Sequence, residues 1–128
     1  MMTPRERVPV VVAEYEEIAW IVARRIREVI EQKRSEGKHA VLGLATGSTP
    51  IGIYRELIRM HREEGLDFSD VVTFNLDEYY PMRPDSIHSY NRFMWENLFD
   101  HINVKPVNVH IPSGDVPREK LTETTKEY

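Results

Sequence analysis

The feature that most constrains the fold of this chain is an apolar run that ends in a turn of small residues. Residues 40–45 (AVLGLA) form the run, which is typical of a parallel strand covered on both faces. The turn occupies residues 46–50 (TGSTP), and apolar residues at helical spacing follow it as far as His61. The stretch therefore predicts a strand, a tight turn and an amphipathic helix in direct succession.

The same alternation of strand and helix patterns runs through the whole chain. It predicts an α/β domain, with an open, mostly parallel, Rossmann-like sheet and helices on both faces. We treat residues 1–128 as one domain, and because so few strands make a small sheet we expect it to be the N-terminal part of a larger one. The predicted strands are residues 8–13, 40–45, 71–76 and 107–111, the predicted helices are residues 15–37, 50–65 and 89–102, and a further helix opens within residues 117–128.

The first predicted helix has an apolar stripe that should face the core. It ends at Gly37, a residue type that commonly terminates helices. The stripe consists of Ile18, Val22, Ile26 and Val29, and Ile21 and Ile30 widen it.

Composition excludes several classes of protein. Charged residues make up 30% and hydrophobic residues 41%, which is typical of a globular domain, and no apolar run approaches the roughly 18 residues of a membrane helix. The formal charge of −4 provides no basic footprint, so we expect neither a nucleic-acid nor a membrane partner. Cysteine is absent, which excludes disulfides and thiolate chemistry, and no secretory signal is evident, so we expect a cytoplasmic protein.

The first strand-to-helix turn has the features of an anion site. Ligands of open parallel sheets bind beyond the carboxyl ends of the strands. Gly47 allows a positive φ, Pro50 suits the first helical position, and Ser48 or Thr49 is predicted to cap the helix. The hydroxyls of Thr46, Ser48 and Thr49 and the free amides of the helix start would suit a phosphate. The alternative is a turn that only caps a helix, and the local pattern leaves both open.

The second strand is followed by two carboxylates, Asp77 and Glu78. They belong to the same predicted sheet edge as the first turn. Successive residues of an extended segment point in opposite directions, so at most one of them should face a ligand. A carboxylate partly shielded beside a bound sugar phosphate could take a proton from carbon. The alternative is that Asp77 bonds local backbone and Glu78 is solvated.

Metal and nucleophile chemistry have little support. No two of the five histidines are spaced i, i+4 or lie in an H-E-x-x-H frame, so we predict no metal site. No serine has an evident histidine partner, so a nucleophilic triad is unsupported. The aromatic residues Phe93, Trp95 and Phe99 are expected to pack in the core or at an interface.

Several blocks together resemble the N-terminal half of glucosamine-6-phosphate deaminase. They are LGLATGSTPIGIYRELIRMH, VVTFNLDEYYPM, SYNRFMWENLFDHI and NVHIPSGDVP, in uninterrupted order between about residues 38 and 118. The related 6-phosphogluconolactonases share the glycine turn, but their acidic block reads more like D-E-R. The Asp77-Glu78-Tyr79 block therefore favours the deaminase branch.

The resemblance implies conversion of glucosamine 6-phosphate and water to fructose 6-phosphate and ammonia, without a metal or organic cofactor. It implies that residues 46–49 contact the phosphate and that Asp77 is the catalytic carboxylate that moves a proton between C1 and C2. Glu78 lies beside it in the catalytic block and would orient or tune the site. Ser89 and Tyr90 match a serine–tyrosine pair near the active site of the family.

The resemblance also implies that this chain lacks the second catalytic block of the family. Family members continue with an Asp-x-His block and a later acid that open the sugar ring, so we expect the isolated chain to be inactive and the full-length parent to be a homo-oligomer. Two alternatives stay open. One is a regulatory module of the same fold that senses a phosphosugar, and the other is a hydrolase similar to 6-phosphogluconolactonase.

Overall fold

A three-stranded parallel sheet forms the centre of the protein. The computed structural model describes residues 14–128. Within them, β1 (Val41–Leu44), β2 (Val72–Asn75) and β3 (Val109–His110) are hydrogen-bonded in the order β1-β2-β3. All pairs are parallel, so their carboxyl ends meet at one edge, where Leu44 lies beside Asn75. The predicted α/β class with an open parallel sheet is confirmed.

Four helices accompany the sheet, and 3₁₀ turns supplement them. The third predicted helix ends earlier than expected, because Leu98 leaves the helical conformation (φ −143°, ψ −63°) and a 3₁₀ turn follows. The helix expected in the last residues is present as a 3₁₀ turn and a short α-helix. The helices are α1 (Tyr15–Ser35), α2 (Ile51–Glu64), α3 (Tyr90–Asn97) and α4 (Leu121–Glu127), and the 3₁₀ turns are Phe99–His101, Pro106–Asn108 and Arg118–Lys120.

Two predicted strands need comment. The strand predicted at residues 8–13 lies outside the described residues. The strand predicted at residues 107–111 is only two residues long, and the 3₁₀ turn Pro106–Asn108 takes its first positions. A proline has no N–H to donate to a strand ladder, so a chain that enters through Pro106 pairs late.

One face of the sheet carries the core. Leu44, Thr73 and Asn75 are buried on this face, which α1, α2 and α3 cover with apolar side chains. The opposite face is more open: Val41 is 61% exposed and Phe74 is 39% exposed, with Tyr128 beyond α4 in edge contact with Phe74. The prediction that residues 40–45 are covered on both faces is therefore wrong for the described part of the chain.

The core-facing side of α1 includes two small residues. Ala19 and Ala23 are buried, whereas Ile18, which the predicted stripe placed inward, is 39% exposed. Of the rest of the predicted stripe, Ile30 is buried, and Ile21, Val22, Ile26 and Val29 are half-buried. The inward side is therefore confirmed for the second half of the stripe, which packs in the core, and is wrong at Ile18.

An ion-pair cluster fixes the last turn of α1 to the loop before β2. Arg34 lies 2.6 Å from the carboxylate of Asp67 and 3.1 Å from that of Asp70. Asp67 also accepts hydrogen bonds from the amide of Ser69 and the side chain of Asn103. The Arg34 guanidinium, more than the other donors, holds the pKa of Asp67 well below its usual range.

Candidate active site

The turn after β1 presents unpaired backbone donors. Gly47 has φ +101°, a conformation that favours glycine, so the predicted positive φ is confirmed. No bond from the amides of Gly47, Ser48 or Thr49 to another described residue is present. These three N–H groups lie directly before α2, whose N-terminus carries partial positive charge. The turn can therefore accept an anion.

The start of α2 differs from the prediction. The capping position is Pro50, which already has right-handed helical angles (φ −79°, ψ −7°), and no side chain caps the helix. The predicted capping role of Ser48 or Thr49 is therefore wrong. The carbonyl of Ser48 instead accepts the amide of Ile51 at 3.3 Å. With no cap bond to make, both hydroxyls stay available for a ligand.

Two tyrosines hold this turn in place. The hydroxyl of Tyr54 accepts the Ala45 amide at 3.1 Å and donates to the Ala45 carbonyl, and burial raises the pKa of Tyr54 to about 12. The hydroxyl of Tyr15 donates to the Thr49 carbonyl at 2.9 Å and accepts the Gly52 amide at 3.2 Å. Tyr15 thus satisfies the Gly52 amide in the first turn of α2 and also binds the last carbonyl before Pro50.

Sequence reasoning missed both tyrosines. Tyr54 lies beside the predicted core stripe of α2, at a position that helical spacing makes buried, and this was the available signal. Tyr15 lies 34 residues from Thr49 and has no comparable signal.

The two carboxylates after β2 point to different surroundings. Asp77 is exposed and lines the cleft at the sheet edge. Glu78 is half-buried and turned toward the N-terminus of α3. Of the two carboxylates only Asp77 lines the cleft, and its contact with a ligand stays a prediction.

Glu78 is bound by four donors. Its carboxylate accepts the amides of Tyr79 and Tyr90 at 2.9 Å each, the amide of Asn91 at 3.0 Å and the hydroxyl of Ser89 at 2.8 Å. Burial by itself raises the pKa of Glu78, but these hydrogen bonds outweigh it and leave the pKa below its usual value. Glu78 is therefore an ionised link between the loop after β2 and α3.

Ser89 and Tyr90 differ in their surroundings. Ser89 is 1% exposed, and its hydroxyl donates to Glu78 and accepts the amide of Arg92 at 3.3 Å, so it caps α3 and is engaged within the protein. Tyr90 is half-buried, and its ring lies 4.7 Å from the ring of Tyr79. Sequence reasoning assigned no role to Tyr79, although it follows the acidic pair directly.

A cleft joins the two strand ends. Its volume is about 520 Å³, and Thr46 of the turn and Asp77 both line it. The structure thus brings a predicted phosphate-turn residue and the predicted catalytic carboxylate to one cleft. The other lining residues are Gly43, Leu44, Ala45, Phe74, Asn75, Leu76 and Tyr128.

The described residues contain neither a candidate metal cluster nor a helix that could span a membrane. Between residues 14 and 128, no group of three or more histidine or carboxylate side chains could hold a metal ion. Over the same residues, none of the helices combines the length and the apolar character needed to cross a membrane.

Curated relatives match most of the chain. Glucosamine-6-phosphate deaminase 2 of Bacillus subtilis is 52% identical over 104 residues, which are 81% of this chain and 40% of the relative. Glucosamine-6-phosphate deaminase 2 of Giardia intestinalis is 58% identical over 96 residues, 75% of this chain and 35% of the relative. The chain spans about half the length of the curated relatives it matches, or less.

Solved structures agree with the fold. A structure described as a monomeric glucosamine-6-phosphate deaminase superposes with a TM-score of 0.83 at 41% identity, and covers 91% of this chain and 46% of its own. The 6-phosphogluconolactonase of Thermotoga maritima has a TM-score of 0.69 at 24% identity, over 91% of this chain and 50% of its own. The lactonase likeness shows the fold alone.

The structure defines an α/β protein with a Rossmann-like parallel sheet and a cleft at the carboxyl ends of its strands. The family model described as glucosamine-6-phosphate isomerases/6-phosphogluconolactonase matches residues 13–128. The chain belongs to this family.

Proposed function

We propose that the chain carries the phosphate turn and the carbon base of a glucosamine-6-phosphate deaminase, which forms fructose 6-phosphate and ammonia. The observation that carries the proposal is the cleft that joins the turn after β1 to Asp77 after β2. Curated relatives named as this deaminase are 44–58% identical over 59–93% of this chain and support the choice of reaction. The chain spans less than half the length of these relatives.

Residues 46–49 would hold the phosphate of the substrate. The amides of Gly47, Ser48 and Thr49 supply donors, and the hydroxyls of Thr46, Ser48 and Thr49 add more. Tyr15 and Tyr54 fix the backbone that carries these groups. A preorganised turn spends little of its binding energy on its own ordering.

Asp77 would act on the open-chain sugar. Its carboxylate takes the proton from C2 and returns it to C1, while one proton of the C2 ammonium group passes to O1. The C1 aldehyde thereby becomes a CH2OH group, and C2 carries an iminium group. Water adds to the iminium carbon, ammonia leaves, and the C2 ketone of fructose 6-phosphate remains. Ring opening needs a separate general acid, and we assign none among residues 14–128. Glu78 and Ser89 position the loop and make no proposed contact with substrate.

Ammonia release from glucosamine 6-phosphate by the complete gene product tests the proposal. We expect release that Asp77→Asn abolishes and that Asp100→Asn, a change of an exposed carboxylate outside the cleft, leaves intact. The isolated 128-residue chain should release little or none. An inactive complete protein that still binds the sugar phosphate would favour a sensor module. Hydrolysis of 6-phosphogluconolactone without ammonia release would favour the hydrolase alternative.

The cytoplasmic location, the homo-oligomeric state of the complete protein and the single-domain assignment of residues 1–128 stay predictions. One solved relative is described as monomeric. Light scattering of the complete gene product in solution would measure its mass and decide whether it self-associates.

A further inference from the structure

The backbone ladder between β1 and β2 ends at the pair Leu44 and Asn75, the last residues of the two strands. In a parallel ladder, the next donor to the Leu44 carbonyl would be the backbone amide of Leu76. Leu76 lies beyond the end of β2, and among the described residues its amide makes no backbone bond to Leu44. The two chains therefore separate at this point, and residues on both sides of the separation line the cleft.

The side chain of Asn75 takes the place of that backbone donor. Its Nδ2 donates to the Leu44 carbonyl at 3.0 Å. Because a carbonyl oxygen only accepts, this bond also determines which end of the Asn75 amide faces β1. Asn75 is 2% exposed, so water cannot compete for the bond, and a hydrogen bond shielded from water is electrostatically stronger than one in solvent.

The other end of the Asn75 amide indicates that this residue does more than fill space. Its Oδ1 is buried and has no hydrogen-bond partner among residues 14–128. A buried acceptor without a partner lowers stability, and a leucine of similar size would fill the same space without that loss. The bond to Leu44 therefore accounts for an asparagine at this position better than packing does.

The Leu44–Asn75 contact lies between the two halves of the proposed site. Leu44 is followed by Ala45, whose amide and carbonyl are both bonded to the hydroxyl of Tyr54 on α2. Consecutive residues at the exit of β1 are thus held by one side chain from β2 and one from α2. Thr46 and Asp77 each lie two residues beyond the Leu44–Asn75 contact, so this contact sets their separation across the cleft.

We propose that Asn75 is a positioning residue that sets the distance between the phosphate turn and the carboxylate of Asp77. The inference rests on the proposed function. The C6 phosphate and the C2 hydrogen belong to one sugar, so a substrate anchored on the turn presents C2 to Asp77 only when the span of the cleft is correct. A displacement of about 1 Å can reduce the rate by about a hundredfold.

The test compares Asn75→Leu with Thr73→Val as the matched control, in the complete gene product. Asn75→Leu removes the bond to Leu44 and keeps the approximate size of the side chain. Thr73 is buried on the same face of β2, and its hydroxyl has no partner among the described residues. It does not line the cleft, so Thr73→Val removes a comparable buried polar group away from the site.

We expect Asn75→Leu to lower kcat for ammonia release from glucosamine 6-phosphate by about tenfold to a hundredfold. KM should rise severalfold at most, because the turn still anchors the phosphate. Competitive inhibition by inorganic phosphate should keep its constant, since inorganic phosphate needs the turn alone. Thr73→Val should keep kcat, KM and phosphate inhibition. Urea unfolding shows whether each variant is folded, and Asn75→Ala, with a smaller side chain, replaces Asn75→Leu if the leucine disturbs the fold.

Two results would overturn the inference. One is an unchanged kcat in the folded Asn75 variant. The other is a loss of phosphate inhibition that parallels the loss of kcat, which would indicate that Asn75 only supports the fold. If the wild-type protein releases no ammonia, the proposed function fails separately. Calorimetry then decides on Asn75 through the ratio of the affinities for glucosamine 6-phosphate and inorganic phosphate: a severalfold lower ratio in Asn75→Leu than in Thr73→Val supports the inference, and an equal ratio or no binding rejects it.

Discussion

The hydroxyl of Ser89 donates a hydrogen bond to the carboxylate of Glu78 at 2.8 Å. This contact joins the cap of α3 to the loop that follows β2, and three backbone amides complete the coordination of the same carboxylate. The loop that carries Asp77 is therefore anchored one residue away from the proposed base. Anchoring next to a reacting group, rather than on it, leaves Asp77 free to face the cleft.

Glu78→Gln should destabilise the protein in a pH-dependent way. A glutamine has only one acceptor oxygen, and its NH₂ group would face other hydrogen-bond donors. We therefore expect the free energy of unfolding to fall by about 1–2 kcal/mol at pH 7. Because the folded-state pKa of Glu78 is lowered, its contribution is present above the usual glutamate pKa and is lost as the pH falls through the folded value.

Urea unfolding of both proteins from pH 7 down to pH 4 measures this effect. The gap in the free energy of unfolding should narrow as the pH falls. Glu31→Gln, a change on the exposed surface of α1, is the control and should show little effect. A gap that is the same at both ends of the pH range would contradict the ionised link.

Gly47→Ala should damage the turn through the backbone alone. A Cβ at Gly47 would meet no atom within 4 Å, so the cost comes from φ +101°, and we expect about 1–2 kcal/mol of destabilisation. Binding of inorganic phosphate, followed by calorimetry, should weaken as the amides reorient. Gly65→Ala is the matched control, since its Cβ also meets open space at a positive φ of +71° and it lies outside the cleft, so it should lose stability but keep phosphate binding. Equal phosphate affinity in both variants would argue against the turn as the phosphate site.

Tyr54→Phe should loosen the first residue of the turn. The change removes both hydrogen bonds between the buried Tyr54 hydroxyl and the backbone of Ala45. Because Ala45 itself is exposed and its groups can bind water instead, we expect a cost of about 0.5–1.5 kcal/mol. The wild-type protein should also lose stability between about pH 10 and pH 12, since its folded-state pKa of about 12 is raised above the usual tyrosine value and only the neutral form is favoured. Denaturant unfolding at neutral and alkaline pH would show whether Tyr54→Phe lacks this loss.

The effect of Gly52→Ala on the free energy of unfolding should change sign when Tyr15 is also replaced. A Cβ at Gly52 would lie 2.9 Å from the hydroxyl of Tyr15, so the alanine must displace that ring and break its two hydrogen bonds. With Tyr15→Ala already present, the space is free, and alanine should stabilise the helix by about 0.5–1 kcal/mol over glycine. A double-mutant cycle of unfolding free energies measures the coupling. Additive effects would show that Tyr15 does not pack there.

Much of the fold could be predicted from sequence. The helix patterns of α1 and α2 were long and periodic, and their ends at Gly37 and Gly65 agree with the positive φ of both glycines. Strands β1 and β2 begin and end within one residue of the predicted bounds, whereas β3 begins two residues late, after the 3₁₀ turn Pro106–Asn108. The spacing of large apolar residues predicted the inward side of α1 at Ile26, Val29 and Ile30, but it did not predict that Ala19 and Ala23 are buried while Ile18 is exposed.

The sequence by itself determined the alternation of strands and helices and the glycine turn between β1 and α2, because both are encoded by neighbouring residues. Only the tertiary structure decided that Asp77 faces the cleft while Glu78 joins α3, and that Tyr15 and Tyr54 hold the turn. These contacts link residues 9 to 34 positions apart, and their geometry exists only after the helices have packed on the sheet. The local sequence pattern therefore predicted the position of the candidate site at the ends of the strands. The packing of the helices on the sheet decided which side chains line the cleft and which support it.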